Sequence, residues 1–142
     1  MFGRFTKDAR AVVQDGAVVA RELGSPTIEA EHLLLAITRR TQVIDLDEET
    51  LRAALQAETE RSLAAVGVTA EAPNFSPYVG EPRLATSAKL ALQQALRESA
   101  GRGDRHLGAA HLAAAILRPT HGTVPRALQI AGLERPDPYA NP

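Results

Sequence analysis

The side chains with the widest chemical range in this sequence are four histidines, His32, His106, His111 and His121. An imidazole can bind a metal ion or transfer a proton near neutral pH. His106 and His111 are five residues apart, a spacing that does not place them on one face of a helix. The 142 residues include no cysteine, so no thiolate can complete a zinc site. We therefore predict no metal site and no cofactor.

Other routes to catalysis lack their usual residue patterns. No serine lies in a nucleophile-elbow motif. The adjacent Glu48 and Glu49 suit the first turn of a helix, where carboxylates interact favourably with the helix dipole. Lys7 and Lys89 are the only lysines, and neither follows the glycine-rich turn of a phosphate loop. We expect no enzymatic activity. The alternative, an enzyme on an unrelated helical fold, would need converging polar residues that the sequence does not offer.

Charge and hydrophobicity exclude further classes of partner. The chain has 16 basic and 17 acidic residues, with a formal net charge of −1, whereas nucleic-acid binders usually carry a basic excess. Its most apolar stretch, residues 33–37, is far shorter than the roughly 20 residues that cross a bilayer. Residues 1–7 lack the apolar run of a signal peptide. We expect a cytoplasmic protein that binds neither nucleic acid nor membranes.

The elements that would position any functional side chain occur twice. A shift of 79 residues aligns residues 5–39 with residues 84–118 without a gap, and nine of the 35 aligned positions are identical. The identities least expected by chance are Gln14/Gln93, Gly24/Gly103 and His32/His111. We interpret this pattern as an internal duplication.

Each copy is predicted to form two helices. In the first copy, Thr6 can cap a helix with apolar residues at helical spacing, and Gly24 followed by Pro26 ends it. The second helix begins near Glu31 in one copy and near Ala110 in the other. Its residues are apolar on every side, which predicts a position in the centre of the core.

Two further helices complete the predicted fold. A long helix is expected from a cap at Asp45 or Asp47 to about Val66, and a short one covers residues 124–131. No segment alternates with a period of two, so we expect no strands. The fold class is therefore all-α, a compact bundle of two pseudo-symmetric helical repeats.

We predict a single domain over residues 1–142. Repeat one covers about residues 2–67, and a proline-containing linker covers about residues 69–82. Repeat two covers about residues 83–133, and the tail at 134–142 is expected to be frayed.

Three segments resemble the N-terminal domain of the Clp family of protein-unfolding ATPases: residues 1–6, residues 9–10 and residues 28–35. That family duplicates a four-helix unit, and each unit carries a Thr-Glu-His-Leu-Leu-like signature at the start of its second helix. The resemblance covers nearly the whole chain. It implies an all-helical docking platform that receives adaptors and substrates for the ATPase rings.

The sequence departs from the family's pattern in several places. The third helix of the first unit is nearly deleted, and the fourth helix of the second unit is missing. The second signature reads Ala109-Ala110-His111, without a glutamate. Because no phosphate loop is present, the resemblance implies a stand-alone form without the ATPase modules; a fragment of a full-length ATPase is the alternative.

The signature residues have a structural and a functional interpretation. Buried histidines must find hydrogen-bond partners, so His32 and His111 are expected to make the same bond twice, at helix ends or between helices. In some members of the family, the signature glutamates bind phosphorylated arginine. Only Glu31 is kept here, and the resemblance therefore implies at most half of a phosphoarginine site.

The resemblance also points to a peptide-binding surface. In the family, the N-terminal phenylalanine and the start of the second repeat take up hydrophobic peptides, including cyclic antibiotics. Phe2, Leu84 and Lys89 match that surface by position, although Leu84 replaces an aromatic residue. We predict a shallow peptide- or adaptor-binding groove between the repeats.

The predicted function is a non-catalytic protein- or peptide-binding module that regulates or feeds Clp-dependent proteolysis. Its partners would be a Clp ATPase, an adaptor or a substrate, and a monomer is favoured. The alternative is a decoy that sequesters adaptors, phosphoarginine-marked substrates or cyclic peptide antibiotics.

Overall fold

A computed structural model describes residues 2–69 and 77–140, and most of them are helical. Six α-helices follow a short 3₁₀ turn at Phe2–Arg4: α1 (Lys7–Glu22), α2 (Ala30–Arg40), α3 (Glu48–Ala65), α4 (Thr86–Gly101), α5 (Ala109–Leu117) and α6 (Thr123–Ile130). The predicted all-α class is confirmed. Residues 70–76 of the predicted linker and residues 141–142 of the predicted tail lie outside the described residues.

The expectation of no strands is wrong in detail. Two strands of two residues each, β1 (Thr27–Ile28) and β2 (Arg83–Leu84), pair in parallel, with Ile28 opposite Leu84. Phe5 forms an isolated parallel bridge to Leu107. These strands were missed because two residues are too few to show an alternating pattern.

The same pairings show how the repeats are related. A shift of 79 residues converts Phe5 into Leu84 and Ile28 into Leu107, so the two pairings exchange when the repeats exchange. The backbone bonds also correspond: Thr6 N donates to Leu107 O at 2.9 Å, and Ala85 N donates to Ile28 O at 3.0 Å. An approximate twofold axis therefore relates the two repeats, as the duplicated sequence predicts.

The first helix of each repeat ends in the same way. Gly24 and Gly103 both have φ of +72°, a left-handed conformation that favours glycine. The next residue closes the turn: Ser25 N donates to Ala20 O at 2.8 Å, and Asp104 N donates to Ser99 O at 2.9 Å. This six-to-one bond satisfies a carbonyl that the helix end would otherwise leave unpaired.

The second helix of each repeat lies in the core. Residues 33–37 of α2 are all fully buried, and residues 111–117 of α5 are also buried. α1 crosses α2 very closely at Gly16, where a β-carbon would lie 2.8 Å from Leu33 Cδ2. The residue related to Gly16 in α4 is Ala95, which is fully buried.

The two incomplete units complement each other. Residues 41–47, where the third helix of unit one would lie, contain no helix, and α3 begins after its cap Asp47, whose side chain accepts from Thr50 N at 2.7 Å. α3 packs against α6, which belongs to the second unit. The buried Glu58 of α3 joins them, because Arg126 Nε of α6 donates to its Oε1 at 3.1 Å.

The tail is held against the second repeat as far as Tyr139. Its hydroxyl donates to the buried Glu98 at 2.9 Å, its ring lies 3.6 Å below the Arg102 guanidinium, and Pro138 is buried. We expected this segment to be frayed, but these contacts hold Tyr139 against α4. None of the helices in the described ranges has the length and hydrophobicity that a bilayer crossing requires.

Candidate functional site

A groove of about 640 Å³ lies where the two repeats meet. One wall is α4, and the opposite wall combines the end of α5 with the first turn of α6. The first turn of α2, from repeat one, closes one end. Repeat one contributes Glu29, Ala30 and Glu31 to the lining, and the remaining lining residues belong to repeat two.

The α4 wall is one face of that helix. Its lining residues lie on one side of the helix, at spacings that are mostly one, three or four positions: Ser87, Leu90, Ala91, Gln93, Gln94 and Arg97. Leu90 is 58% exposed, so its apolar side chain is accessible to a ligand. The opposite face of α4 packs inward through buried alanines. α4 thus offers a ligand both an apolar side chain and polar neighbours.

The opposite wall is largely apolar at its base. Ile116 and Val124 are buried in the core beneath the groove, and Pro125 occupies the first turn of α6. His121 and Thr123 add polar atoms at the rim. An apolar base with a few polar groups at the rim is the usual composition of a binding cleft.

The start of α2 is tied to the start of α4. Ser87 Oγ donates to Glu29 Oε2 at 2.5 Å and accepts from Ala30 N at 2.8 Å. Thr27 Oγ1 also donates to Glu29 Oε1 at 3.4 Å. These bonds fix the relative position of the two repeats at this end of the groove.

Glu31 lines the same end and differs from Glu29 in its contacts. None of the described side chains donates a hydrogen bond to its half-buried carboxylate. Burial raises the pKa of Glu31, its own backbone N–H lowers it, and the nearby Glu29 and Glu58 carboxylates raise it further. The ionised carboxylate is therefore short of favourable partners in the free protein.

The two repeat-related histidines serve as helix caps. His32 Nδ1 accepts from Glu29 N at 2.9 Å, and His111 Nδ1 accepts from Gly108 N at 2.9 Å. The same bond is therefore made twice, once at the start of α2 and once at the start of α5, and neither bond links two helices. Burial lowers the pKa of His32, with Glu29 acting in the opposite direction. His111 Nε2 also lies 2.7 Å from Asp104 Oδ2.

The sequence-predicted site residues fall on two neighbouring surfaces. Glu31 lines the groove, but Leu84 is half-buried in β2, and Lys89 is exposed on α4 outside the lining row. The side chain of Phe2 lies outside the described residues. Leu90 and Arg97 were not predicted from the sequence. Their spacing from Ser87 places all three on a face of α4 beside the one that packs into the core.

One protein-family model matches nearly the whole chain. Residues 4–131 match the model of the Clp repeat (R) N-terminal domain.

Solved structures share this fold at low sequence identity. The N-terminal domain of the caseinolytic protease associated chaperone ClpD from Arabidopsis thaliana is 17% identical, with a TM-score of 0.70 over 95% of this chain and 92% of that one. The Hsp104 N-terminal domain from Candida albicans is 18% identical, with a TM-score of 0.61 over 92% of this chain and 83% of that one. A chain from a study of a malarial protein secretion system is 16% identical, with a TM-score of 0.59 over 94% and 88%.

Proposed function

Because the chain belongs to the Clp repeat N-terminal domain family, we propose that it is a non-catalytic docking domain that binds a segment of another protein in the groove between its repeats. The observation that supports this function most strongly is the groove itself. It presents the exposed Leu90 above an apolar base, with polar groups around it. Such a surface binds a peptide side chain by removing apolar area from water.

The size of the groove suits a short peptide segment. A volume of about 640 Å³ lies within the usual range of ligand clefts. Complete burial of one leucine-sized side chain contributes about 1.5–3 kcal/mol, so a few such contacts give moderate affinity. Moderate affinity fits a domain that must receive a client and then release it to an ATPase ring.

Membership of the family supports a proposal for the cellular role. We propose that the domain feeds or regulates Clp-dependent proteolysis in the cytoplasm, with an adaptor, a substrate or a Clp ATPase as its partner. The signature residue Glu31 lies in the groove, and this supports a link between the family's docking function and this particular surface.

The test compares two charge insertions at exposed apolar positions. Binding peptides would be selected from a random display library on the wild-type protein, and their Kd measured by fluorescence anisotropy. Leu90→Glu should weaken binding at least tenfold, a loss of about 1.4 kcal/mol. Val66→Glu is the matched control, because Val66 is 74% exposed at the end of α3, outside the groove. Equal affinity of Leu90→Glu and wild type, or no selected peptide, would refute the assignment.

A further inference from the structure

The groove carries opposite charges at the two ends of its α4 wall. Glu29 and Glu31 lie at the end where α4 begins, beside Ser87. Arg97 lies ten residues further along α4, which corresponds to about 15 Å of helix. A ligand that lies along α4 therefore meets an acidic region first and a basic region last.

The acidic end has more carboxylates than cations to balance them. The charges with the largest effect on the Glu31 carboxylate are those of Glu29, Glu58 and Arg126. Arg126 is already paired with Glu58, whose Oε1 also accepts from Ser62 at 2.8 Å. Glu29 is occupied by hydroxyl donors, which carry no charge. Glu31 is thus the carboxylate at this end with capacity for a cationic ligand.

The basic end likewise has one cation without an ion-pair partner among the described residues. Arg118 donates to the buried Glu98 at 2.8 Å, so its charge is largely compensated. Arg97 is exposed and forms no ion pair with any residue in the described ranges. Its guanidinium can therefore receive a carboxylate from a ligand.

We infer that the groove binds an unmodified peptide segment that places a lysine or arginine at Glu31 and a carboxylate at Arg97, with apolar side chains between them. The inference rests on the proposed function and specifies its ligand. An extended peptide advances about 3.3 Å per residue, so the two charges should be four or five residues apart.

The charge balance disfavours a phosphorylated arginine at the same end. A phosphoryl group carries up to about two negative charges near neutral pH. It would lie beside the carboxylates of Glu29, Glu31 and Glu58, while Arg97 lies ten residues along α4 from Ser87, about 15 Å of helix. The structure therefore assigns the Glu31 end to a free cation, and a phosphoarginine peptide serves as the contrasting ligand in the test.

The test uses peptides that differ only in their charged positions. Four apolar residues are flanked by Lys and Glu, by Lys and Gln, by Gln and Glu, or by Gln and Gln; a fifth peptide replaces the lysine with phosphoarginine. Titration calorimetry compares wild type, Glu31→Gln and Arg97→Gln. Glu49→Gln is the matched control, an exposed carboxylate in the first turn of α3, away from the groove.

Wild type should bind the Lys/Glu peptide about five- to tenfold more tightly than the neutral peptide, since each exposed pair adds up to about fivefold. Glu31→Gln should lose the preference for lysine alone, and Arg97→Gln the preference for glutamate alone. Equal affinity for all peptides, or tighter binding of phosphoarginine, would overturn the inference and leave the docking function standing. If no peptide of this set binds wild type, the inference is overturned, and the selection from the random library decides separately whether the docking function stands.

Discussion

At the scale of single residues, the signature positions combine a fixed structural role with an available charge. His32 and His111 each accept a backbone N–H at the start of a central helix, three residues before the histidine itself. Glu31, between one of these caps and the groove, has no side-chain donor among the described residues. The histidine therefore holds the helix start in place, and the neighbouring glutamate lines the groove.

The cap role of His32 predicts a dependence of stability on pH. Burial lowers the pKa of His32 below its ordinary 6.5, so the unfolded chain binds its proton more readily than the folded protein. The stability that neutral His32 contributes is fully present above about pH 6.5 and is lost as the pH falls through the folded pKa. His32→Gln keeps an N3 residue that can form a capping box and removes the titration.

We expect the free energy of unfolding of wild type to fall more steeply between pH 7 and pH 5 than that of His32→Gln. Chemical denaturation at a series of pH values measures both slopes. Equal slopes would show that the burial of His32 does not affect its protonation.

The raised pKa of Glu31 predicts a pH dependence of stability that is opposite in sign to that of His32. The folded pKa of Glu31 is raised above 4.5, so its favourable contribution is present below pH 4.5 and is lost as the pH rises through the folded pKa. Glu31→Gln should therefore stabilise the protein at pH 7, by up to about 0.5 kcal/mol. Glu49→Gln should not stabilise, because Glu49 is favourably placed in the first turn of α3. A Glu31→Gln protein less stable than wild type at pH 7 would contradict this account.

At the scale of elements, the helix pairs of the two repeats differ at one equivalent position in their packing interface. Gly16 allows α1 to approach α2, whereas α4 has Ala95 at the corresponding place. Adding a β-carbon to Gly16 would place it 2.8 Å from the fully buried Leu33. The alignment of the two repeats shows the residue types at this position but not the close approach at Gly16, because that approach depends on the distance between α1 and α2.

We expect Gly16→Ala to destabilise the protein by about 1 kcal/mol, since overpacking costs about 1–3 kcal/mol and the helix propensity of alanine returns about 1 kcal/mol. Ala95→Gly should also destabilise, by about 1 kcal/mol, because glycine is unfavourable inside a helix. Thermal denaturation of the two variants tests the pair. A more stable Gly16→Ala protein would mean that Leu33 can move aside.

The tail supplies a second prediction at this scale. Tyr139→Phe removes the hydrogen bond to the buried Glu98, which keeps Arg118 as a partner. We expect a loss of about 1 kcal/mol in the free energy of unfolding. Tyr78→Phe is the control, because the Tyr78 hydroxyl forms no hydrogen bond with the residues in the described ranges. It should change stability by less than about 0.5 kcal/mol. A loss for Tyr139→Phe below about 0.5 kcal/mol would show that this hydrogen bond does not stabilise the fold.

At the scale of the whole molecule, the dyad determines both what the sequence predicts and what it does not. Local sequence patterns determine the helix caps at Thr6 and Asp47 and the buried segments of α2 and α5. These features could therefore be predicted residue by residue. The groove combines α4 with the ends of three other elements, and no local pattern encodes that combination. Of the site residues predicted by resemblance, Glu31 lines it, and Leu84 and Lys89 lie beside it.

We propose that the groove beside α4 is the docking surface. A ¹H–¹⁵N NMR titration of the wild-type protein with a selected peptide locates the bound ligand. We predict that the largest amide shifts fall on residues 87–97 of α4 and on the first turns of α2 and α6. Shifts confined to the surface around Leu84 and Lys89, or to the far end of α3, would contradict the claim.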